Sequence, residues 1–304
     1  MVICIYKFMD NKEHIGKVLD NKNNYKIIDC ESCGFKHVTP IPSDKQLEDF
    51  YGKEFYSHAK PKYFSDYEED SEWWMATYRN HYNLLARHTV GRRLLDIGSG
   101  PGYFLKCGKD LGWDVLGFEP SKDAAEYSRK LGVEVVNDFF SGEAVKKYGK
   151  FDAIYMKTVI EHLPDPEKLL RVAKDALVPG GVLCVISPND YNPLQKILRE
   201  NLGFDPWWVS PPQHINYFDF TTIRNILVRQ GLSIVDAFGN FPMEFFLLSG
   251  ANYVGNSEVG RQCQLRRKTF ELNMYLSNPD ILNDMYRSFG AKGIGREFII
   301  IAKK

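Results

Sequence analysis

Short apolar segments alternate with amphipathic stretches along most of the chain from about residue 92 onwards. The apolar segments have the length of buried strands, and the stretches between them repeat apolar positions every three or four residues, as helices do. This alternation predicts right-handed β–α–β units, and hence an α/β fold with a mostly parallel sheet covered by helices on both faces. The predicted strands are 93–97, 114–118, 133–136, 153–156 and 182–186, with later ones at 232–238 and 297–302.

The same pattern divides the chain into three parts. Residues 1–42 are polar with short β-type stretches, and they predict a small N-terminal β module. Residues 43–90 have helical periodicity and predict a helical lid or linker. Residues 91–304 form the main domain, with an aromatic, helix-leaning insertion at about 243–290. The pattern leaves open whether this insertion closes a pocket or forms an interface.

The main chemical signal is the segment LLDIGSGPGYF at 94–104, where a strand runs through a glycine turn directly into a helix. Glycines let the backbone approach a ligand closely, and a helix N-terminus presents unpaired N–H groups. In an open α/β sheet such a turn lies at the carboxyl ends of the strands, where ligands bind. The alternative interpretation is a tight turn without a ligand.

Two carboxylates indicate the kind of ligand. Asp96 precedes the first glycine, where it would repel the pyrophosphate of a dinucleotide but can pair with an ammonium group. Glu119 follows the next strand, where an acidic side chain accepts hydrogen bonds from ribose hydroxyls. A ligand with an amino-acid cation at one end and a ribose at the other satisfies both carboxylates. S-adenosylmethionine is such a ligand.

At this point the sequence resembles the class I S-adenosylmethionine-dependent methyltransferases. The resemblance covers roughly residues 90–240 and rests on five motifs in order: DIGSGPG, GFEPS, FDAI, VIEHLPDP and LVPGG. It implies a Rossmann-like sheet of seven strands with the last strand antiparallel, and S-adenosylmethionine as the cofactor, with S-adenosylhomocysteine as the product. The segment from Leu232 to the end can supply the final hairpin.

The resemblance also implies a set of cofactor-binding residues. The glycine turn and the start of its helix would line the methionine part, the acidic residue after the second strand would hold the ribose, the residues after the third strand would flank the adenine, and Lys157 would lie near the sulfonium. Together these are Asp96, Gly98, Gly100, Gly102, Tyr103, Phe104, Glu119, Pro120, Asp138, Phe139 and Lys157.

Two histidines are candidates for the base that an oxygen acceptor requires. His162 lies in IEHLPDP just after the fourth strand, and His214 lies in the Pro-rich segment SPPQHINYF. Both occupy positions at which similar enzymes carry a histidine. Since a sulfonium is already an activated methyl donor, the protein mainly aligns the reactants, and a base removes the acceptor proton. The alternative for each histidine is a ring bonded to a backbone carbonyl.

Aromatic residues at helical spacing precede the first strand of the main domain. Trp73, Trp74, Tyr78 and Tyr82 form a stripe that suits either a helix packed on the core or a lid over the cofactor. The tryptophans at 207–208 are similarly open between pocket wall and core.

The N-terminal module contains the motif CESCG at 30–34, which looks like half of a zinc ribbon. Some similar methyltransferases carry such a module, but a structural zinc site needs four ligands, and no second CxxC motif is present here. We therefore expect a metal-free module. The alternative is zinc bound through Cys4, His14, Cys30 and Cys33.

Composition narrows the range of partners and compartments. The 39 basic and 39 acidic side chains give a formal net charge of zero, which argues against a partner held mainly through nucleic-acid phosphates. The apolar runs are far shorter than the roughly 20 residues that span a bilayer, so we expect no membrane insertion. The early charges at the N-terminus do not resemble a secretory signal, and six cysteines in a chain this long fit reduced thiols in the cytoplasm.

These observations predict a methyltransferase that acts on a small or mid-sized acceptor. The resemblance suggests O-methylation of a sugar, a nucleotide-linked sugar or a glycan. A quinone or other aromatic acceptor, an RNA, and a binding or scaffold protein that keeps the fold without catalysis are the alternatives.

Overall fold

The computed structural model describes residues 6–7, 13–42 and 67–304. A seven-stranded sheet in the order β12-β13-β10-β9-β6-β7-β8 forms its centre, and β13 runs antiparallel to both of its neighbours. The predicted α/β fold with an antiparallel last strand is thus confirmed. The strands of this sheet are β6 (Arg93–Ile97), β7 (Asp114–Phe118), β8 (Glu134–Val136), β9 (Phe151–Lys157), β10 (Leu177–Pro188), β12 (Ser233–Gly239) and β13 (Glu297–Lys303).

Helices connect these strands and cover both faces of the sheet. Several begin at residues whose side chains accept hydrogen bonds from the first turn, such as Ser121, Asp165 and Asp219. The described helices are α1 (Ser71–Ala86), α2 (Tyr103–Asp110), α3 (Lys122–Lys130), α4 (Gly142–Lys146), α5 (Pro166–Ala176), α6 (Pro193–Leu202), α7 (Phe220–Arg229), α8 (Glu244–Leu248), α9 (Ser257–Ser277) and α10 (Pro279–Ala291), with a 3₁₀ turn at Ile160–His162.

The core consists of two apolar layers, one on each face of the sheet. Along β9, Ile154 and Met156 point into the layer beneath α4, α5 and α7, while Ala153 and Tyr155 point into the layer beneath α1, α2 and α10. Because the central strands are buried on both faces, they read in the sequence as continuous apolar runs.

The N-terminal module is a four-stranded antiparallel sheet in the order β11-β5-β4-β3, with a two-stranded pair, β1 (Tyr6–Lys7) and β2 (Glu13–His14), before it. Its strands are β3 (Gly16–Lys22), β4 (Tyr25–Cys30) and β5 (Phe35–Thr39), and the main domain contributes β11 (Asn216–Tyr217). The Lys36 ammonium lies 3.0 Å from the Asp219 carboxylate across this junction. The module is therefore joined to the main domain by a shared sheet.

The insertion folds as α8, α9 and α10 between β12 and β13. Helix α9 packs on α1, and α10 packs on β12. The buried carboxylate of Glu271 on α9 accepts hydrogen bonds from the Trp73 indole N–H at 2.8 Å and from the Tyr286 hydroxyl at 2.5 Å. Residues 43–66 of the predicted helical lid or linker, like Cys4, lie outside the described residues.

Candidate active site

The parallel strands β6, β7 and β9 end at the same edge of the sheet, and the glycine turn lies there. Gly98 has φ +73°, and a Cβ at this position would come within 2.8 Å of the Val159 side chain. The amides of Gly98 and Ser99 both donate to the Phe118 carbonyl, at 2.8 and 3.1 Å, which holds the turn against the end of β7. Glycine is required here for its φ angle and for the close approach of the next loop.

Two buried carboxyl groups face the turn. Burial and the nearby Glu119 raise the pKa of Asp96 well above its usual range. Burial also raises the pKa of Glu119, although its oxygens accept from the amides of Ser121 and Gly100, each at 2.8 Å. Buried carboxyl groups are stabilised as anions by a cation or by further hydrogen-bond donors. An ammonium group at Asp96 and a ribose at Glu119 would supply both.

A cavity of about 990 Å³ opens at this edge of the sheet. It is large enough for a cofactor and an acceptor together, since single ligand pockets range from about 300 to 1,000 Å³. The structure brings most of the sequence-predicted site residues into its wall: Asp96, Gly98, Gly100, Tyr103, Phe104, Glu119, Pro120, Phe139, Lys157, His162 and His214.

Two predicted cofactor residues do not line the cavity. Gly102 begins α2 with φ +80°, and a Cβ there would meet the Ser128 side chain of α3 at 2.6 Å, so it serves helix packing behind the turn. Asp138 is exposed, and its carboxylate accepts from the Phe139 amide at 2.8 Å. The aromatic ring beside it, Phe139, lies at the wall instead.

His162 and His214 lie side by side on the wall, with ring centroids 5.1 Å apart. His162 Nδ1 lies 2.6 Å from the Gln213 carbonyl oxygen, which can accept a hydrogen bond and cannot donate one. Nδ1 therefore carries the hydrogen, and Nε2 keeps the lone pair in the neutral ring. Nε2 is 3.8 Å from the buried Glu161 carboxylate, whose other oxygen accepts from the Ser187 hydroxyl at 2.9 Å. Burial raises the pKa of Glu161 to about 7.

Lys157 at the end of β9 is held by an ion pair. Its ammonium is 2.6 Å from the Glu297 carboxylate, and the Asn240 amide donates to the same carboxylate at 2.7 Å. Burial alone would raise the pKa of Glu297, but Lys157, Arg296 and Arg267 lower it to about 2. Lys157 thus lines the cavity as one partner of an ion pair with Glu297.

Sequence reasoning missed several polar residues of the wall. Asp190 and Glu244 are buried, and each has one carboxylate oxygen, Oδ2 and Oε2 respectively, without a hydrogen-bond partner among the described residues. The same holds for the Ser99 hydroxyl and the Trp208 indole nitrogen. Asp190 follows β10 directly, a position at the ligand edge that could have been read from the pattern. Glu244 lies in the insertion, where the sequence carried no signal.

The aromatic stripe on α1 is divided between the core and the wall of the cavity. Tyr82 is buried and stacks on Phe104 with ring centroids 4.5 Å apart, so it belongs to the core. Trp73 and Trp74 line the cavity, and Tyr67 stacks between Trp74 and Tyr103, at 4.6 and 5.1 Å. Both residues at 207–208 also line the cavity.

The sheet order, the glycine turn and the two carboxyl groups together define a class I S-adenosylmethionine-dependent methyltransferase. A family model described as "Methyltransferase domain" matches residues 68–237, which is more than half of the chain. The chain belongs to this methyltransferase family. A structure of a SAM-dependent methyltransferase from Archaeoglobus fulgidus superposes with a TM-score of 0.52 at 20% identity, covering 80% of this chain and 99% of that one, and it supports the fold.

Curated relatives are similar over part of their length. A ubiquinone biosynthesis O-methyltransferase of a Caulobacter species is 30% identical over 166 residues, which are 53% of this chain and 66% of the relative. The enzyme with the same name from Paraburkholderia phymatum is 34% identical over 31% of this chain and 43% of its own length. The C-methyltransferase NovU of Streptomyces niveus is 26% identical over 49% of this chain and 34% of the relative. The chain thus spans less than two thirds of these relatives' lengths.

Among the residues that the structure describes, no helix combines the length and the apolar character needed to cross a bilayer.

Proposed function

We propose that this chain transfers a methyl group from S-adenosylmethionine to a hydroxyl group of a small or mid-sized polar acceptor, such as a sugar, a nucleotide-linked sugar or a glycan. The observation that carries this proposal is the pair of buried carboxyl oxygens, Asp190 Oδ2 and Glu244 Oε2, that line the cavity without a protein partner among the described residues. Buried polar atoms of this kind are normally satisfied, and a hydroxyl group can both donate to a carboxyl group and accept from it.

The cofactor end of the cavity fits the proposed donor. Asp96 would pair with its ammonium group, and Glu119 would accept from its ribose hydroxyls. When bound, S-adenosylmethionine supplies a methyl group already activated on a sulfonium, so the remaining task of the chain is alignment and proton removal. The aromatic rings of Trp74, Tyr103 and Phe139 at the wall would shield this end from water.

We assign the proton-accepting role to His162. The Gln213 carbonyl fixes its Nδ1–H, and the Glu161 carboxylate lies where it would stabilise the protonated ring. His162 Nε2 would accept the hydroxyl proton as the acceptor oxygen takes the methyl group that the bound cofactor would supply, and S-adenosylhomocysteine would be the other product. His214, the second candidate, would contact the acceptor beside it.

Two guanidinium groups lie among the more numerous carboxyl groups of the wall, and they would bind a phosphate carried by the acceptor. Arg296 interacts electrostatically with Glu297 and Glu244. Arg267 lies 3.6 Å from the Glu271 carboxylate and packs over Trp73, with its guanidinium carbon 4.9 Å from the ring centroid. Guanidinium groups bind phosphates through paired N–H donors. This favours a nucleotide-linked sugar over a free sugar.

A second acceptor class is an aromatic diol or quinol. The ubiquinone O-methyltransferases among the relatives suggest it, and Trp73, Trp207 and Trp208 give the cavity flat apolar surfaces that would stack on such a ring. The buried carboxyl oxygens of Asp190 and Glu244 favour the sugar, since one hydroxyl of an aromatic diol must face the methyl donor and the other would satisfy one of these oxygens at most.

The test is an acceptor-dependent assay of S-adenosylhomocysteine formation with free sugars, nucleotide-linked sugars and catechols. We expect turnover with a hydroxyl-rich acceptor, a raised KM in Glu244→Gln, and a kcat lower by about 10²–10⁴-fold in His162→Gln. Turnover of a catechol without any turnover of sugars would replace the first acceptor class by the second. Cofactor binding without turnover of any acceptor would favour a non-catalytic binding protein.

A further inference from the structure

The N-terminal module brings together four side chains that suit a metal ion. They are His14 from β2, Cys30 at the end of β4, Cys33 in the following turn, and His37 in β5. One ligand atom from each residue lies within 4.8 Å of all the others. His14, Cys30 and His37 are buried, and Cys33 is half-buried. The CxxC turn supplies the two cysteines, and the fold brings the two histidines to them from β2 and β5.

The distances between the ligand atoms match a tetrahedral zinc site. Zinc–sulfur and zinc–nitrogen bonds of about 2.3 and 2.1 Å place tetrahedral N···S pairs about 3.6 Å apart and N···N pairs about 3.4 Å apart. His14 Nδ1 is 3.5 Å from Cys30 Sγ, 3.3 Å from Cys33 Sγ and 3.1 Å from His37 Nε2. Small shifts of the side chains would accommodate the ion.

The surroundings orient these ligands. His37 Nδ1 lies 2.8 Å from the Val38 carbonyl oxygen, so Nδ1 carries the hydrogen and Nε2 presents its lone pair to the cluster. The turn between the cysteines closes through a hydrogen bond of 2.9 Å from the Gly34 amide to the Cys30 carbonyl, and Gly34 has φ +73°. Such a turn directs both thiol groups to one point.

We propose that His14, Cys30, Cys33 and His37 bind one structural zinc ion. Two thiolates and two imidazoles complete a four-coordinate shell, which leaves no open position for a substrate. The fourth ligand is His37, which the sequence analysis did not consider. The metal-free module expected from the sequence is thus replaced by a zinc site in this proposal, and Cys4 is not needed for it.

The ion would also support the acceptor side of the main site. The strand that carries His37, β5, pairs with β11, and the Val38 amide donates to the Ile215 carbonyl at 2.8 Å, next to His214. The Ile215 amide in turn donates to the Glu161 carbonyl at 2.8 Å. A zinc ion that fixes β5 would therefore stiffen the segment on which both wall histidines depend.

The direct test is the metal content of the purified full-length chain. We expect about one zinc ion per chain in the wild type, and less than about a fifth of that in Cys33→Ser and in His37→Gln. Cys263→Ser is the matched control, since this buried thiol lies on α9 away from the cluster, and it should keep its zinc. A zinc chelator should lower the Tm of the wild type and leave that of Cys33→Ser unchanged.

Cobalt provides a readout that does not require the variants to fold. Added to the reduced, metal-depleted wild type, cobalt should give the thiolate charge-transfer absorption of a tetrahedral site, and zinc should displace it. A wild type with a native circular dichroism spectrum but neither zinc nor a cobalt–thiolate band would overturn the proposal. None of these measurements involves methyl transfer, so the zinc proposal is tested independently of the proposed enzymatic activity.

Discussion

At the scale of single residues, the cofactor site depends on carboxyl groups that are buried before a ligand arrives. Burial and Glu119 raise the pKa of Asp96, which favours its protonated form, whereas a bound ammonium group would favour the carboxylate. The pattern around the glycine turn was sufficient to predict that Asp96 and Glu119 lie at the ligand edge of the sheet, where both line the cavity. It did not identify Asp190 or Glu244, because their relevance depends on which loops meet at the cavity.

Binding of S-adenosylmethionine should release a proton from Asp96. A group that ionises on binding makes the affinity rise with pH below its unliganded pKa, by up to about tenfold per pH unit. We expect tighter binding at higher pH, and binding heats that depend on the ionisation enthalpy of the buffer. In Asp96→Asn both effects should disappear. Calorimetry in two buffers measures them, and equal proton release in the two proteins would show that another group titrates.

Gly98 should be intolerant of a side chain for two separable reasons. Its φ of +73° disfavours alanine by about 1 kcal/mol, and the added Cβ would press on Val159. Gly112 is a matched control, with φ +79° and no atom within 4 Å of its Cβ position. We expect Gly112→Ala to lose about 1 kcal/mol in urea unfolding and to bind cofactor normally, whereas Gly98→Ala should lose more stability and bind weakly. Normal cofactor binding by Gly98→Ala would show that the glycine turn is not part of the cofactor site.

Glu161 should make the folded protein less stable as the pH rises. Its pKa is raised from 4.5 to about 7, so between these values the native state holds a proton that the unfolded state has lost, and stability falls with increasing pH. The substitution Glu161→Gln removes the titrating group, and with it this decrease of stability with rising pH. The free energy of unfolding of Glu161→Gln minus that of the wild type should therefore grow between about pH 4.5 and 7, by up to about 1.4 kcal/mol per pH unit. A difference independent of pH would contradict the assignment.

At the scale of elements, the alternation of apolar segments was enough to predict the strands, and the family resemblance implied the reversed last strand. It could not place the insertion, because helix α9 docks through contacts that are distant in sequence. Trp73 and Glu271 are 198 residues apart, yet they share a hydrogen bond at the cavity wall. Periodicity reports which face of a helix is apolar, but not which element that face meets.

The Glu271 carboxylate should be the main polar anchor of the insertion. Glu271→Ala leaves the Trp73 indole and the Tyr286 hydroxyl without their buried acceptor, and we expect a loss of about 2–4 kcal/mol in urea unfolding. Glu258 on the same helix is exposed and pairs with Arg261, so Glu258→Ala should leave the unfolding midpoint unchanged. Equal effects of the two substitutions would mean that apolar packing alone holds α9.

At the scale of the whole molecule, the sequence pattern did not predict the sheet β11-β5-β4-β3, which joins the N-terminal module to the main domain. Strand β11 consists of Asn216 and Tyr217, too short to have an alternating pattern, and it lies about 180 residues from its partner β5. The acceptor wall is therefore built from three regions: the main sheet, the insertion and the segment that carries His214. The cofactor end, by contrast, comes from consecutive β–α units, which is why its residues were predictable.

The most direct test is calorimetric binding of S-adenosylmethionine and S-adenosylhomocysteine to the wild type, to Asp96→Ala and to Asp110→Ala. Asp110 is an exposed carboxylate at the end of α2, paired with Lys106, and serves as the matched control. We predict micromolar binding of both ligands to the wild type and to Asp110→Ala, and its loss in Asp96→Ala. A wild type that binds neither ligand, or an Asp96→Ala variant that binds them as well as the wild type does, would contradict the assignment of this cavity to the cofactor.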